Sequence, residues 1–219
     1  MAENDSKHTP QEEKATKLEV IITILLGTAT ILGALAAYFS ALWGGEQQSN
    51  YTKSLAETNK ANTIYLDAIN DLTSLQMSDM KDDLIYSEWK QHVEKGDPDA
   101  QYYFIKLSEG LQKDLLDDPA DVSEYEKEQA ENLEVIQKRL NESEDNLKKA
   151  DEIMQKGQDA NRYSDDFTLC TVLFTIVLFF LGIASLKTKE SIQKTYVIIA
   201  VIVLLLSLIK MVTIPFPQI

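Results

Sequence analysis

Cysteine is nearly absent. Cys170 is the only one in 219 residues, which excludes an intrachain disulfide and any zinc site built on several thiolates. Histidine occurs only as His8 and His92, too few for a histidine-based metal centre. The eight glycines form no phosphate-cradling loop, and no metalloprotease helix motif or nucleophile elbow is present. Positive charge is also in the minority, with 21 Lys+Arg against 35 Asp+Glu. The excess lies in one place: residues 44–166 hold 29 acidic and 14 basic residues, a net charge of −15. Such a surface repels phosphates, so nucleic acid is excluded as its partner and anionic headgroups are poor ligands.

Charge is scarcest in three segments, and these set the architecture. Leu18 to Trp43 carries a single charge, Glu19, and is long enough to cross a hydrocarbon core of about 30 Å as a helix. Tyr38 and Trp43 at its far end suit an interfacial aromatic belt. Ala34-Leu35-Ala36 resembles a signal-peptide cleavage site, but the apolar run continues past it, which favours an uncleaved anchor. Residues 167–186 are free of charge, and residues 196–214 carry only Lys210, close enough to the end to snorkel. The expected fold is therefore all-α and integral to the membrane. It runs as a tail (1–17), a first span (18–43), an acidic helical domain (44–166), a second span (167–186), a basic linker (187–195), a third span (196–214) and a short tail (215–219). Lys7, Lys14 and Lys17 precede the first span, and Lys187, Lys189 and Lys194 occupy the linker. The positive-inside rule places those segments in the cytoplasm and residues 44–166 outside it.

The acidic domain reads as a hairpin of two long antiparallel helices capped by a short one. Gly96-Asp97-Pro98 signals a turn, with Asp97 capping a helix over 98–116, and Asp117-Asp118-Pro119 signals a second break. From Val122 to Asp159 there is no proline. Leu133, Ile136, Leu140, Ser143, Leu147, Ala150, Met154 and Gly157 recur at spacings of three and four, as do Leu55, Thr58, Asn62, Tyr65, Ile69, Leu72 and Gln76. The pattern predicts that these two stripes bury one another. Trp89 and Tyr102-Tyr103-Phe104 fall towards the tip, where core packing accounts for them better than a partner site.

Residues that carry chemistry are few. His92 has Glu88 and Glu94 nearby, a pattern typical of surface contacts. Asp79, Asp82 and Asp83 form one acidic cluster, and Asp114, Asp117, Asp118 and Asp121 another, without the spacing of a calcium loop. No nucleophile, base and orienting group can be assembled, so neither enzyme activity nor a cofactor is expected. Proton-coupled transport lacks the ionisable groups it needs within the spans. The first span instead offers Ala29, Gly33, Ala37 and Ala41 at four-residue intervals, a small-residue stripe suited to close helix association. Thr23 and Thr30 lie on a neighbouring line and are candidates for a pore lining.

The stretches Gly33-Ala34-Leu35-Ala36-Ala37-Tyr38 and Trp43-Gly44-Gly45-Glu46-Gln47 resemble the end of the first span in a group of prokaryotic three-span membrane proteins. Residues 160–167 (ANRYSDDF), with Thr171-Val172-Leu173-Phe174 and 179–183 (FFLGI), resemble the entry and body of their second span. The acidic domain departs from that group, as does Gly44 in place of an expected serine. The resemblance implies a layout and no activity. By that layout Glu46, Gln47, Asn161, Ser164 and Asp165 meet in one polar cluster where the first and second spans leave the membrane. The sequence thus points to a non-enzymatic, self-associating membrane scaffold whose partners are the bilayer and further copies of itself. The rival is a homo-oligomeric, cation-preferring channel with the first span around its axis.

Overall fold

The computed structural model describes residues 10–118, 122–186 and 189–217, with side chains from residue 17 onward. Lys7, His8, Pro119, Asp121, Lys187 and the side chain of Lys14 lie outside the described residues. The described chain folds into α1 (Pro10–Glu94), α2 (Ala100–Phe104), α3 (Glu109–Asp117), α4 (Ser123–Ser185) and α5 (Glu190–Thr213), with no strand among the described residues. α1, α4 and α5 are each long and apolar enough to cross a membrane, which makes this a multi-pass membrane protein. The first span and first domain helix are one uninterrupted helix of 85 residues. The second span likewise continues α4, which runs for 63 residues. α5 begins at Glu190, so it takes up most of the expected linker, with Lys194 paired to Glu190 one turn earlier at 2.7 Å.

The chain divides into two units, Met1–Thr52 with Ile153–Ile219 and Lys53–Glu152. The first holds the apolar segments. Its centre is α4, where Phe167, Cys170, Phe174, Val177, Leu181 and Ala184 are fully buried at alternating steps of three and four. α1 meets it through Ala29, Gly33 and Ala36, and α5 through Ala200, Leu204, Ser207 and Met211. The small residues matter because association in lipid rests on close packing, with no water to expel. A side-chain carbon on Gly33 would already stand 3.4 Å from Phe174 Cβ. At one end Phe39, Phe167 and Phe216 gather, and Trp43 packs on Tyr163 at 4.8 Å while its indole N–H donates to the Pro215 carbonyl at 3.1 Å. Lys210, expected to snorkel, pairs with Asp166 at 2.8 Å. At the other end Gln193 donates its amide N–H to the Ala184 carbonyl at 2.8 Å, satisfying one of the open carbonyls at the end of α4.

The second unit is acidic, with 25 Asp+Glu and 12 Lys+Arg between residues 53 and 152, a density that keeps it in water. α1 and α4 run antiparallel here: Ser54 donates to the Ala150 carbonyl at 2.8 Å, and Ser143 donates to the Ala61 carbonyl at 2.9 Å. The expected turn after α1 forms. Gly96 takes a left-handed backbone (φ 66°), and the N–H groups of Gly96 and Asp97 return to the carbonyls of Val93 and His92 at 3.0 Å, the pattern that closes a helix on a glycine. Asp97 then accepts the Asp99 N–H at 3.0 Å. The single short helix expected over 98–116 is two helices, α2 and α3. Ser108 is extended between them, and its N–H donates to buried Asp82 at 2.9 Å, which fixes the break. Leu107, Leu111 and Leu115 form the tip core with Trp89, Phe104 and Tyr125 against them, so two of the four aromatics expected there pack on it, while Tyr102 is exposed and Tyr103 stacks on His92.

Candidate interaction surface

The antiparallel hairpin forms, but its seam is not the pair of stripes expected from the sequence. On α1 the buried line is Ser54, Ala61, Ala68 and Asp82, whereas Leu55 and Tyr65 of the expected stripe are exposed. On α4 the expected stripe mixes two lines of sevens: Ile136, Ser143, Ala150 and Gly157 are buried, while Leu133, Leu147 and Met154 are exposed. The reason is steric. A serine hydroxyl reaches a carbonyl on the opposite helix only if the backbones approach closely, and Ser, Ala and Gly allow this where Leu and Tyr would hold them apart. Because Ser54 faces Ala150 and Ala61 faces Ser143, residues four further along each helix share one flank of the pair. That flank holds Thr58, Tyr65 and Leu72 of α1 and Leu140 and Leu147 of α4. The larger apolar residues are therefore left outside the seam.

The charges of α1 are partitioned in the opposite sense. Between Ser54 and Ser78 they are Glu57, Lys60, Asp67 and Asp71. Glu57 pairs with Lys149 at 3.0 Å and Asp71 with Arg139, so both turn towards α4. Lys60 and Asp67 stand one turn from them along the same side of the helix. The remaining face of α1 from Leu55 to Met77 carries no charge at all.

In the apolar unit the predicted stripe is divided. Ala29 and Gly33 are buried within the chain, and Ala37 and Ala41 are exposed. A strict step of four advances about 40° around a helix each time, so the line winds off any one neighbour. Thr23 and Thr30 are also exposed, each donating its hydroxyl to the carbonyl four residues earlier, at 2.9 and 2.8 Å. Of the proposed junction cluster, Ser164 alone bridges the helices. It donates to the Ser40 carbonyl, and Ser40 donates to the Ser164 carbonyl, each at 3.0 Å. Asn161 pairs with Asp165 along α4 at 3.3 Å, and no hydrogen bond joins Glu46 or Gln47 to these three among the described residues. Ser40 and Thr168, 2.9 Å apart, were not singled out in the sequence. The signal for Ser40 is a small hydroxyl residue seven positions after Gly33 on α1.

One member of each acidic cluster, Asp82 and Asp114, holds the start of a helix. Asp82 accepts the Ser108 N–H and, at 3.1 Å, the Tyr125 hydroxyl, and Asp79 accepts the same hydroxyl at 2.9 Å. Asp114 accepts the Tyr125 N–H at 2.7 Å, in the first turn of α4. Burial, with the carboxylates of Asp79 and Asp82 beside it, pushes the Tyr125 phenol well above its usual range, so it keeps the proton that it donates to them. His92 faces Asp97 at 3.0 Å and stacks on Tyr103 rather than engaging Glu88 or Glu94. An open cleft nearby is lined by Asp79, Asp83, Tyr86, Leu111, Val122 and Glu126. Among the described residues no three His, Cys, Asp or Glu side chains gather to hold a metal ion.

No family model, curated protein or solved structure matches this chain. The functional reading therefore rests on surfaces and charge.

Proposed function

We propose that this protein is a non-enzymatic membrane scaffold that associates with itself and presents an acidic helical unit outside the cytoplasm. The observation that carries the reading is the exposure of Leu55, Tyr65, Leu66 and Met77 on one helix of a strongly acidic unit, where water would otherwise select polar residues. The exposed Ala37 and Ala41 support it in the apolar unit, since small residues let helices of neighbouring copies approach. Lys17, Lys189 and Lys194 flank the spans and support a cytoplasmic N-terminus and linker. The test is the mass of the protein in lipid nanodiscs. A defined multiple of the chain is expected, and a monomer at all loadings would overturn the proposal.

The second reading, a cation-preferring channel with α1 around the axis, is favoured by the exposed Thr23 and Thr30. Ion flux from liposomes holding the reconstituted protein decides it: flux lost on substituting both threonines by valine would support a pore, and the absence of flux would remove it.

A further inference from the structure

We propose that the charge-free face of α1 between Leu55 and Met77 is the surface on which a second copy of this chain docks, the two α1 helices lying parallel. The proposal rests on the self-association reading and gives it a location. Leu55 is 60% exposed, Leu66 58% and Met77 68%, and Asn62, Asn70 and Thr73 stand among them, also exposed. The face extends for about 35 Å at the helical rise of 1.5 Å per residue.

Three arguments identify the occupant as a second copy. The acidic unit carries −13 overall, so two copies repel one another across any surface on which that charge is spread. The Leu55–Met77 face is free of this repulsion, because Glu57 and Asp71 are turned towards Lys149 and Arg139 of α4. A basic partner would gain nothing from an uncharged face and would be drawn to the acidic flanks. Insertion in one topology holds the α1 helices of neighbouring copies parallel and at equal depth, so each row of the face meets itself. Asparagine suits that symmetry, because its amide both donates and accepts, and Asn62 can pair with its own counterpart while Leu66 and Ile69 pack beside it.

The test uses the full-length protein in native membranes. On a Cys170→Ala background, Asn62→Cys, Ile69→Cys and Thr73→Cys are each expected to give a disulfide-linked dimer on mild oxidation. Lys60→Cys and Asp67→Cys, on the side turned away from the face, are expected to give none. Equal cross-linking at both sets would mean random collision and overturn the proposal. Absence of cross-links in a protein whose nanodisc mass is still a multiple would place the interface elsewhere, leaving self-association intact. A monomeric mass would remove both. Should Cys170→Ala fold poorly, Ile69→Lys in the otherwise natural chain serves instead. Its nanodisc mass is expected to fall to the monomer with helical content unchanged, and a retained multiple would refute the interface.

Discussion

The apolar and the acidic unit face opposite solvents and join the same two helices by the same means. In each, α1 meets α4 through small residues, and serine hydroxyls cross to opposing carbonyls: Ser40 and Ser164 in the apolar unit, Ser54 and Ser143 in the acidic one. A hydroxyl bonded to a carbonyl is satisfied without water, so this seam works in lipid and in water alike. The units differ in what they gather away from that seam. The apolar unit has aromatic rings and the Lys210–Asp166 pair at one end, whereas the acidic unit has a leucine core whose helix starts are held by buried carboxylates. The same kind of seam can thus serve a helix pair in either solvent, while the residues away from it follow the local one.

The sharpest break in that comparison comes at Asp82, which is 2% exposed and holds both Ser108 and Tyr125. Asp82→Ala is expected to cost about 3 kcal/mol, because it leaves the part-buried Ser108 N–H without its charged acceptor and the Tyr125 hydroxyl with Asp79 alone. Proteolysis should then cut the tip and spare the apolar unit. Gly157→Leu attacks the apolar unit, since its first side-chain carbon would occupy the space of the Tyr51 ring. About 2 kcal/mol is expected there, read as a lower melting temperature in detergent. The serines sharpen the comparison. Ser54→Ala and Ser143→Ala should each cost about 1 kcal/mol, and Ser40→Ala about half as much, as hydrogen bonds between membrane helices average about 0.6 kcal/mol. Lys210→Met removes a half-exposed pair and should cost less than about 1 kcal/mol. Smallest is Asp97, partly exposed at the surface, whose carboxyl is held below its usual range by the Asp99 N–H and then by His92. A lowered value in the folded state means that its stabilisation is complete above the ordinary carboxylate range and fades as pH falls through the lowered value. Asp97→Asn should flatten the acid limb of a stability–pH profile slightly.

Much of the architecture could be read from the residues. Three charge-poor runs give the three membrane-crossing helices, and Gly96-Asp97-Pro98 gives the turn. The seam could not be read as readily, because a hydropathy pattern weights Leu55, Tyr65, Leu133 and Leu147 above serine and alanine. Close helix contact favours the reverse order, through sterics that hydropathy does not contain. The same bias hides Ser40 and Thr168, while the layout that groups Glu46 and Gln47 with Asn161, Ser164 and Asp165 does not say which polar side chains face across the pair. The split of α2 from α3 depends on Asp82, 26 residues upstream of the N–H it accepts, a contact that no local pattern reports.

The central claim is that α1 packs within the chain on one face and keeps its charge-free face for a second copy. It is tested most directly by the distance between spin labels at Thr63→Cys, on the rim of that face, in nanodiscs and on the Cys170→Ala background. Parallel helices in contact have axes about 8–10 Å apart, so the account predicts a short, narrowly distributed label–label distance. A broad background distribution, or a distance equal to that from labels at Lys60→Cys, would contradict it.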